Sequence, residues 1–265
     1  MQEPNKPIAP SICSLAGRNI VVTGAAQGIG RAVVDLAIEL GATVMAVDMN
    51  EGALTELRAS HATGRVTTIV GDVSDPDTAR RAVHEAVALS GAIHGLVNNA
   101  GITRTAMIDK MSLEAWRTVM DVHVSGSFHF LQAVGIHMIE RARAGDRQPG
   151  AIVNISSDAG RRGTIGQINY GTAKSAIYGM TMSAAREWAR YGIRVNTVAF
   201  GVVETSMTET IRGDKFRDGY LAQIPLGRFA TASEAAKPVC FFLSEGASYV
   251  TGQHLSVNGG FTIGF

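Results

Sequence analysis

Tyr170 and Lys174 stand four residues apart in the stretch Tyr170-Gly171-Thr172-Ala173-Lys174, and Ser156-Ser157 precede them. On a helix, residues four apart share a face, so the phenol and the ammonium would lie side by side. A tyrosine hydroxyl with a pKa near 10 is a poor acid–base group at neutral pH. A neighbouring ammonium favours phenolate, as does the positive charge of an oxidised nicotinamide, and both lower that pKa. The product is a general base for an alcohol proton, or an acid for a ketone oxygen. Ser157, thirteen residues before Tyr170, can hydrogen-bond the same substrate oxygen. Alone, a Tyr-x-x-x-Lys pair reads equally as a surface helix pair; what lies upstream gives it meaning.

Upstream, Ile20-Val21-Val22-Thr23-Gly24-Ala25-Ala26-Gln27-Gly28-Ile29-Gly30 ends an apolar run and opens a helix-period segment. Glycines there permit a tight turn and close backbone approach, and N–H groups at a helix N-terminus hold a pyrophosphate. The candidate cofactor-binding residues of this loop are Gly24, Gln27, Gly28, Ile29 and Gly30. Asp48 follows eighteen residues after Gly30. A carboxylate there accepts hydrogen bonds from adenosine ribose hydroxyls and repels a 2′-phosphate. Gln27 and Met49 supply no cation, and Arg31 is expected on the helix surface, so NAD(H) is expected in preference to NADP(H). Asp72-Val73 could border the adenine; Asp72 reads equally as a turn residue.

These residues need elements to hold them. Apolar, β-branched runs at 18–23, 42–48, 66–70, 93–98, 151–156, 193–199 and 254–257 read as strands. Helix-period segments fill 29–40, 52–60, 75–89, 112–143, 170–191 and 233–244. In the longest of them Leu113, Trp116, Met120, His123, Ser127, Phe128, Leu131 and Met138 are expected on one face. Strands alternating with helices imply crossover connections and a parallel sheet covered on both faces, an α/β fold. No repeat or linker divides residues 15–265, which read as one catalytic domain. Residues 1–14, with three prolines, read as a flexible tail, and the polar stretch 206–228 as a substrate lid.

Composition excludes several classes. Twenty-four basic against 23 acidic residues leave a net charge of +1, which argues against binding a nucleic-acid backbone. A chain 46% hydrophobic and 18% charged is not a disordered one. No apolar run approaches a membrane span, and no signal pattern opens the chain, so a cytoplasmic protein is expected. Cys13 and Cys240 form no CxxC motif. His123, His129 and His137 miss the i, i+4 spacing of a zinc pair, and no metal is expected.

Taken together, the chain resembles the classical short-chain dehydrogenase/reductase family. The resemblance rests on Thr23-Gly-Ala-Ala-Gln-Gly28-Ile-Gly30, Asn98-Asn99-Ala100-Gly101, Ser157, Tyr170-x-x-x-Lys174 and Val257-Asn258-Gly259-Gly260, in family order over residues 17 to 260. It implies a single Rossmann-like domain with a seven-stranded parallel sheet, and a homotetramer built partly on the long helices after the fourth and fifth strands. It implies the catalytic roles argued above for Ser157, Tyr170 and Lys174, with Lys174 also holding the nicotinamide ribose. Asn98, Ala100 and Gly101 would line the cofactor, and Val203 and Thr205 would contact its carboxamide and phosphates.

The chain departs from the family at two positions. His123 stands where the family has an asparagine thought to organise a water linking the lysine to solvent. It reads either as a relay residue or as a satisfied helix histidine. Phe200-Gly201 replaces the usual Pro-Gly after the sixth strand.

The segments Asp158-Ala159-Gly160-Arg161-Arg162-Gly163, Ile224-Pro225-Leu226-Gly227-Arg228-Phe229 and Tyr249-Val250-Thr251-Gly252 resemble 3-oxoacyl-(acyl-carrier-protein) reductases and their relatives. The leading expectation is an NAD(H)-dependent enzyme interconverting a ketone and a secondary alcohol on a 3-oxoacyl thioester of acyl carrier protein or coenzyme A. A sugar, cyclic-diol or hydroxysteroid dehydrogenase is the alternative. An acidic acyl carrier partner could meet Arg141, Arg143, Arg161 and Arg162, which read equally as a solvated face. A catalytically silent dinucleotide-binding scaffold is a more distant reading, opposed by the intact Ser157, Tyr170 and Lys174.

Overall fold

The structure is a computed structural model and describes residues 12–264. Most of the expected tail, residues 1–11, lies outside the described residues. Within the remainder, the Ile12 carbonyl accepts the Gly246 N–H at 2.9 Å.

Strands and helices alternate as β1 (Asn19–Thr23), α1 (Gly28–Glu39), β2 (Thr43–Asp48), α2 (Glu51–Ala59), β3 (Val66–Val70), α3 (Pro76–Ser90) and β4 (Gly95–Asn98). Then come α4 (Leu113–Met120), α5 (Gly126–Arg143), β5 (Ala151–Ser157), α6 (Ala159–Arg162), α7 (Ile168–Trp188) and β6 (Arg194–Phe200). The chain closes with α8 (Glu209–Arg212), α9 (Asp214–Leu221), α10 (Ala232–Leu243) and β7 (His254–Val257). The seven strands form one parallel sheet in the order β3-β2-β1-β4-β5-β6-β7. The α/β fold with helices on both faces is therefore as expected.

Period-two alternation sends neighbouring side chains of one strand to opposite layers. Val22 of β1 packs with Val34, Val153 and Val239 under α1 and α10. Val21, one residue earlier, packs with Leu96, Phe130, Ile152 and Ala184 under α3, α5 and α7. Local chemistry sets the helix ends. Asp75 caps α3 by accepting the Asp77 N–H at 2.9 Å, and Thr231 and Glu234 form a capping box on α10.

The expected helix over 112–143 is two helices. A π turn, Asp121–Ser125, separates α4 from α5. The wider turn shifts the phase of the helix, so one apolar face does not run through it. Leu113 and Phe128, expected on that face, are 70% and 46% exposed, whereas Leu131 and Met138 are buried. The first helix of the 206–228 stretch and the short α6 are also absent from the sequence reading, because single turns carry no periodicity.

The strand order reverses direction between β1 and β4. In parallel sheets the crevice at the carboxyl ends of the strands opens at this point. Among the described residues no helix is long and apolar enough to cross a membrane.

Candidate active site

A cleft of about 280 Å³ lies at that reversal. One wall is the loop between β1 and α1. Gly24 takes φ of +62°, and a Cβ there would stand 2.7 Å from Ala100 Cα. Gln27, which precedes α1, makes no side-chain cap, so the first N–H groups of the helix are left for a ligand. Thr205 faces Gly28 across the cleft, 3.2 Å from where a Cβ on Gly28 would be. An anion fits this cradle of uncapped donors and missing side chains. Further along the wall, Asp48 accepts the Ala26 N–H and the Asn50 N–H, both at 3.0 Å. Each of its oxygens retains a lone pair for a hydroxyl. Arg31 is bound to Asp35 on the helix surface, as expected, and does not line the cleft. Lys174 is the one cation among the described lining residues.

Ser157, Tyr170 and Lys174 meet at the other end. β5 ends on Ser157, whose Oγ accepts the Ala159 N–H at 3.2 Å. The buried Asn169 donates to the carbonyls of Arg104 at 2.9 Å and Ala115 at 3.2 Å, and so moors the first turn of α7 that carries Tyr170. Ser156 Oγ donates to the Lys174 carbonyl at 2.8 Å and ties β5 to α7. Burial pushes the Tyr170 phenol above its ordinary value, and a hydrogen bond with Ser157 pulls it back. Lys174 does not yet lower it. Its Nζ lies 5.7 Å from the Tyr170 ring centroid and donates to the Ile155 carbonyl at 2.8 Å. Burial brings the lysine itself down to about 7. The sequence expectation of an ammonium acting on the phenol is corrected for this state, since burial dominates both groups.

His123 lies in the π turn and is 1% exposed. Its ring meets the Tyr170 ring edge-on, with centroids 5.3 Å apart. Nε2 is 2.8 Å from the Ile102 carbonyl and 3.0 Å from the Ile102 N–H, and Nδ1 has no partner. Burial first, and Lys174 second, bring its pKa down to about 3. The imidazole is therefore neutral at ordinary pH. Among the described residues it makes no hydrogen bond to Tyr170 or Lys174, so a titrating relay finds no support. Its place is that of a wedge holding the backbone at Ile102.

Gln27, Ile29, Asp72, Val73, Ala100, Gly101, Val203 and Thr205 all line the cleft. Two expected cofactor residues do not. Gly30 lies behind the loop, where a Cβ would collide with the Gly24 carbonyl. Asn98 is buried and donates to Asn154 Oδ1 at 2.9 Å and to the Ser127 carbonyl at 3.1 Å. From there Asn154 donates to Thr181, which also accepts from Thr197, in a polar chain through β4, β5, α7 and β6. Asn99 takes the place given to Asn98: it lines the cleft and donates to the Thr23 and Gly24 carbonyls, both at 3.0 Å. Strand alternation was the available signal, since residue 99 falls just past the end of β4.

A second cavity, about 220 Å³, adjoins the first. Ser157, Tyr170, Phe200, Gly201, Met207 and Thr208 line both. Phe200, in place of the usual proline, is buried at the end of β6 and forms part of this shared wall. Above the second cavity lie α8 and α9, where Tyr220, Leu221 and Ile211 pack around Val202, Ile224 and Phe229. The C-terminal turn supports them from below. Cβ atoms on Gly259 and Gly260 would come within 2.8 Å of Ile224 and 2.9 Å of Pro225, and Asn258 Nδ2 donates to the buried Asp158 at 2.7 Å. Sequence reasoning assigned no role to Asp158 or Phe261, which both line this cavity.

Residues 24–262 match the family described as enoyl-(acyl carrier protein) reductase. The chain is 41% identical over 251 residues to a 3-oxoacyl-(acyl-carrier-protein) reductase of Thermotoga maritima, covering 94% of this chain and 99% of the other. Its counterpart from Vibrio harveyi is 36% identical over 250 residues, with 93% and 98% covered. A crystal structure from Brucella melitensis, described as a short-chain dehydrogenase/reductase of the glucose/ribitol dehydrogenase type, superposes with a TM-score of 0.88 at 32% identity, covering 94% and 98%. A proposed NAD(P)-dependent gluconate 5-dehydrogenase from Beutenbergia cavernae, with NADP bound at low occupancy, gives 0.85 at 35%, covering 95% and 99%.

Proposed function

The chain belongs to the short-chain dehydrogenase/reductase family, and from that premise we propose that it reduces 3-oxoacyl thioesters, or oxidises the corresponding 3-hydroxyacyl thioesters, with NAD(H). One observation carries the reading: Ser157 and Tyr170 sit in the wall shared by two adjoining cavities. A proton can thus be handled where a cofactor on one side meets a substrate on the other.

The nicotinamide, when bound, supplies the hydride donor or acceptor. The uncapped start of α1, with Gly24 and Gly28, would hold the pyrophosphate, and Asp48 the adenosine ribose. Lys174 would turn from Ile155 toward the nicotinamide ribose, and Val203 and Thr205 would close the far side. Ser157 holds the substrate oxygen. Tyr170 gives that oxygen a proton in reduction and removes it in oxidation. Ammonium charge brought to the phenol by Lys174 offsets the burial that raises its pKa.

The preference for NAD(H) is supported by Asp48 and by a lining without a cation at the ribose end. The thioester is supported by the reductases of Thermotoga maritima and Vibrio harveyi, and an acyl carrier protein is the partner it implies. Residues 206–228 act as a lid on the second cavity. A homotetramer is supported by exposed apolar residues on the long helices, Phe128 and Ile136 on α5 and Met182 on α7. Cytoplasmic residence accords with such a role.

A second reading has its own observation. Thr103, Thr105, Thr164 and Gln167 line the second cavity, which suits a hydroxylated substrate as well as an acyl chain. The deciding experiment is a panel of acetoacetyl-coenzyme A, a longer 3-oxoacyl thioester, polyols and a hydroxysteroid with both cofactors, followed by absorbance of the reduced nicotinamide. Turnover of polyols without turnover of thioesters selects the second reading.

A further inference from the structure

Four arginines were candidates for meeting an acidic partner, and the fold has used three. Arg141 donates to the carbonyls of Ile93 and Pro149 and pairs with Asp146. Arg143 lies against the Tyr191 ring, 5.8 Å from its centroid. Arg161 donates to Ser256 Oγ at 2.8 Å and to the Gly264 carbonyl at 3.1 Å. Arg162 is different. Its guanidinium carbon lies 3.9 Å from the centroid of the Phe261 ring, a face-on contact. That contact fixes the plane of the cation and leaves its N–H edges open, because the donors of a guanidinium lie in its plane. No ion pair or hydrogen bond occupies those edges among the described residues.

Arg162 also lines the cavity that holds Ser157 and Tyr170, and it is the one cation in the described lining. Asp158 is the one carboxylate there. It is buried, turned toward Asn258 Nδ2 at 2.7 Å, and makes no ion pair with Arg162. A cavity of about 220 Å³ places both ends on one small molecule. We propose that Arg162 is a specificity-determining residue that binds an oxyanion carried by the substrate, a carboxylate or a phosphate, while the carbonyl to be reduced lies on Ser157 and Tyr170. Planar, paired donors match such oxyanions two at a time. The inference rests on the reductase reading of the site and adds a charge requirement to it.

Two substrate pairs separate the sources of the anion. Acetoacetate and its methyl ester differ in a carboxylate. Acetoacetyl-coenzyme A and acetoacetyl-N-acetylcysteamine differ in the phosphates. For each pair the ratio of kcat/KM, charged over neutral, is measured in the wild type and in Arg162→Ala, with Arg162→Lys as the partial rescue. The variant is expected to lower the ratio about tenfold or more in one pair, chiefly through KM, and that pair names the source. Equal ratios in wild type and variant for both pairs would overturn the inference. A binding arm needs no turnover: malonate and inorganic phosphate are titrated into the NADH-loaded enzyme by calorimetry. Binding in the wild type that weakens about tenfold in Arg162→Ala supports the inference even if no panel member is reduced, an outcome that would count against the reductase reading alone. Binding of neither anion to the wild type, or equal binding to the variant, overturns it.

Discussion

Gly101 and His123 share one volume: a methyl group on Gly101 would fall inside the His123 ring. The glycine thus stands beside an imidazole larger than the asparagine usual at that position. Gly101→Ala is expected to cost about 1–3 kcal/mol as an overpacked site. In a His123→Ala background the same change should cost much less. A double-mutant cycle by denaturant unfolding checks this, and additive costs would show that the two do not compete for space.

Acid should find the histidines. His123 is brought to about 3 and His94 to about 4, burial being the first cause in each. Unfolded, both titrate near 6.5. Below that value the unfolded chain holds more protons than the folded one. Stability therefore falls as pH drops from about 6.5 toward the folded values. Replacing His123 with asparagine removes one such group. The melting temperature of His123→Asn should fall less than that of the wild type between about pH 7 and about pH 4.5, with about 2–3 kcal/mol at stake from this group. Because His123 is neutral throughout the working range, the variant's kcat profile between about pH 6 and 9 should keep its wild-type shape.

Removing one oxygen isolates the proton step. Tyr170→Phe should lose about 10²–10⁴-fold in kcat, the usual range for a positioned acid or base. NADH binding, followed by fluorescence, should survive. Retained turnover would move the acid–base role away from Tyr170.

Cofactor choice turns on a carboxylate. The wild type should use NAD(H) over NADP(H) by at least about tenfold in kcat/KM, the effect of about 1.4 kcal/mol of repulsion. Asp48→Asn should narrow the gap through KM for NADP(H). The two N–H groups that Asp48 holds, from Ala26 and Asn50, can still bond an amide oxygen, so the loop should stay folded. Equal use of both cofactors by the wild type would remove the repulsion argument.

Much of this site was legible in the sequence because local signals and tertiary demand agreed. The loop from Gly24 to Gly28 follows a strand and opens a helix, and Tyr170 and Lys174 sit one helical turn apart. What escaped reading depends on contacts between distant segments. Asn98 and Asn99 are adjacent and chemically identical, and the strand's alternation sends the first into a buried chain with Asn154 and leaves the second at the cleft. Arg161 and Arg162 are likewise adjacent. Only the position of the C-terminal turn decides that one holds the Gly264 carbonyl and the other lies on Phe261. The pKa of Lys174 follows from burial, which no spacing reveals.

The π turn at Asp121–Ser125 makes chain length itself a structural variable. Deleting one residue to regularise this stretch would turn α5 against α4 by about 100°. Phe130, Val134 and Met138 would swing off the sheet, while Ala115 would still hold Asn169 at the start of α7. Substitutions within the turn change a neighbourhood, whereas an insertion or deletion there resets the angular bookkeeping of half a layer. Length variation among functional variants should therefore fall on either side of this turn and avoid the five residues within it.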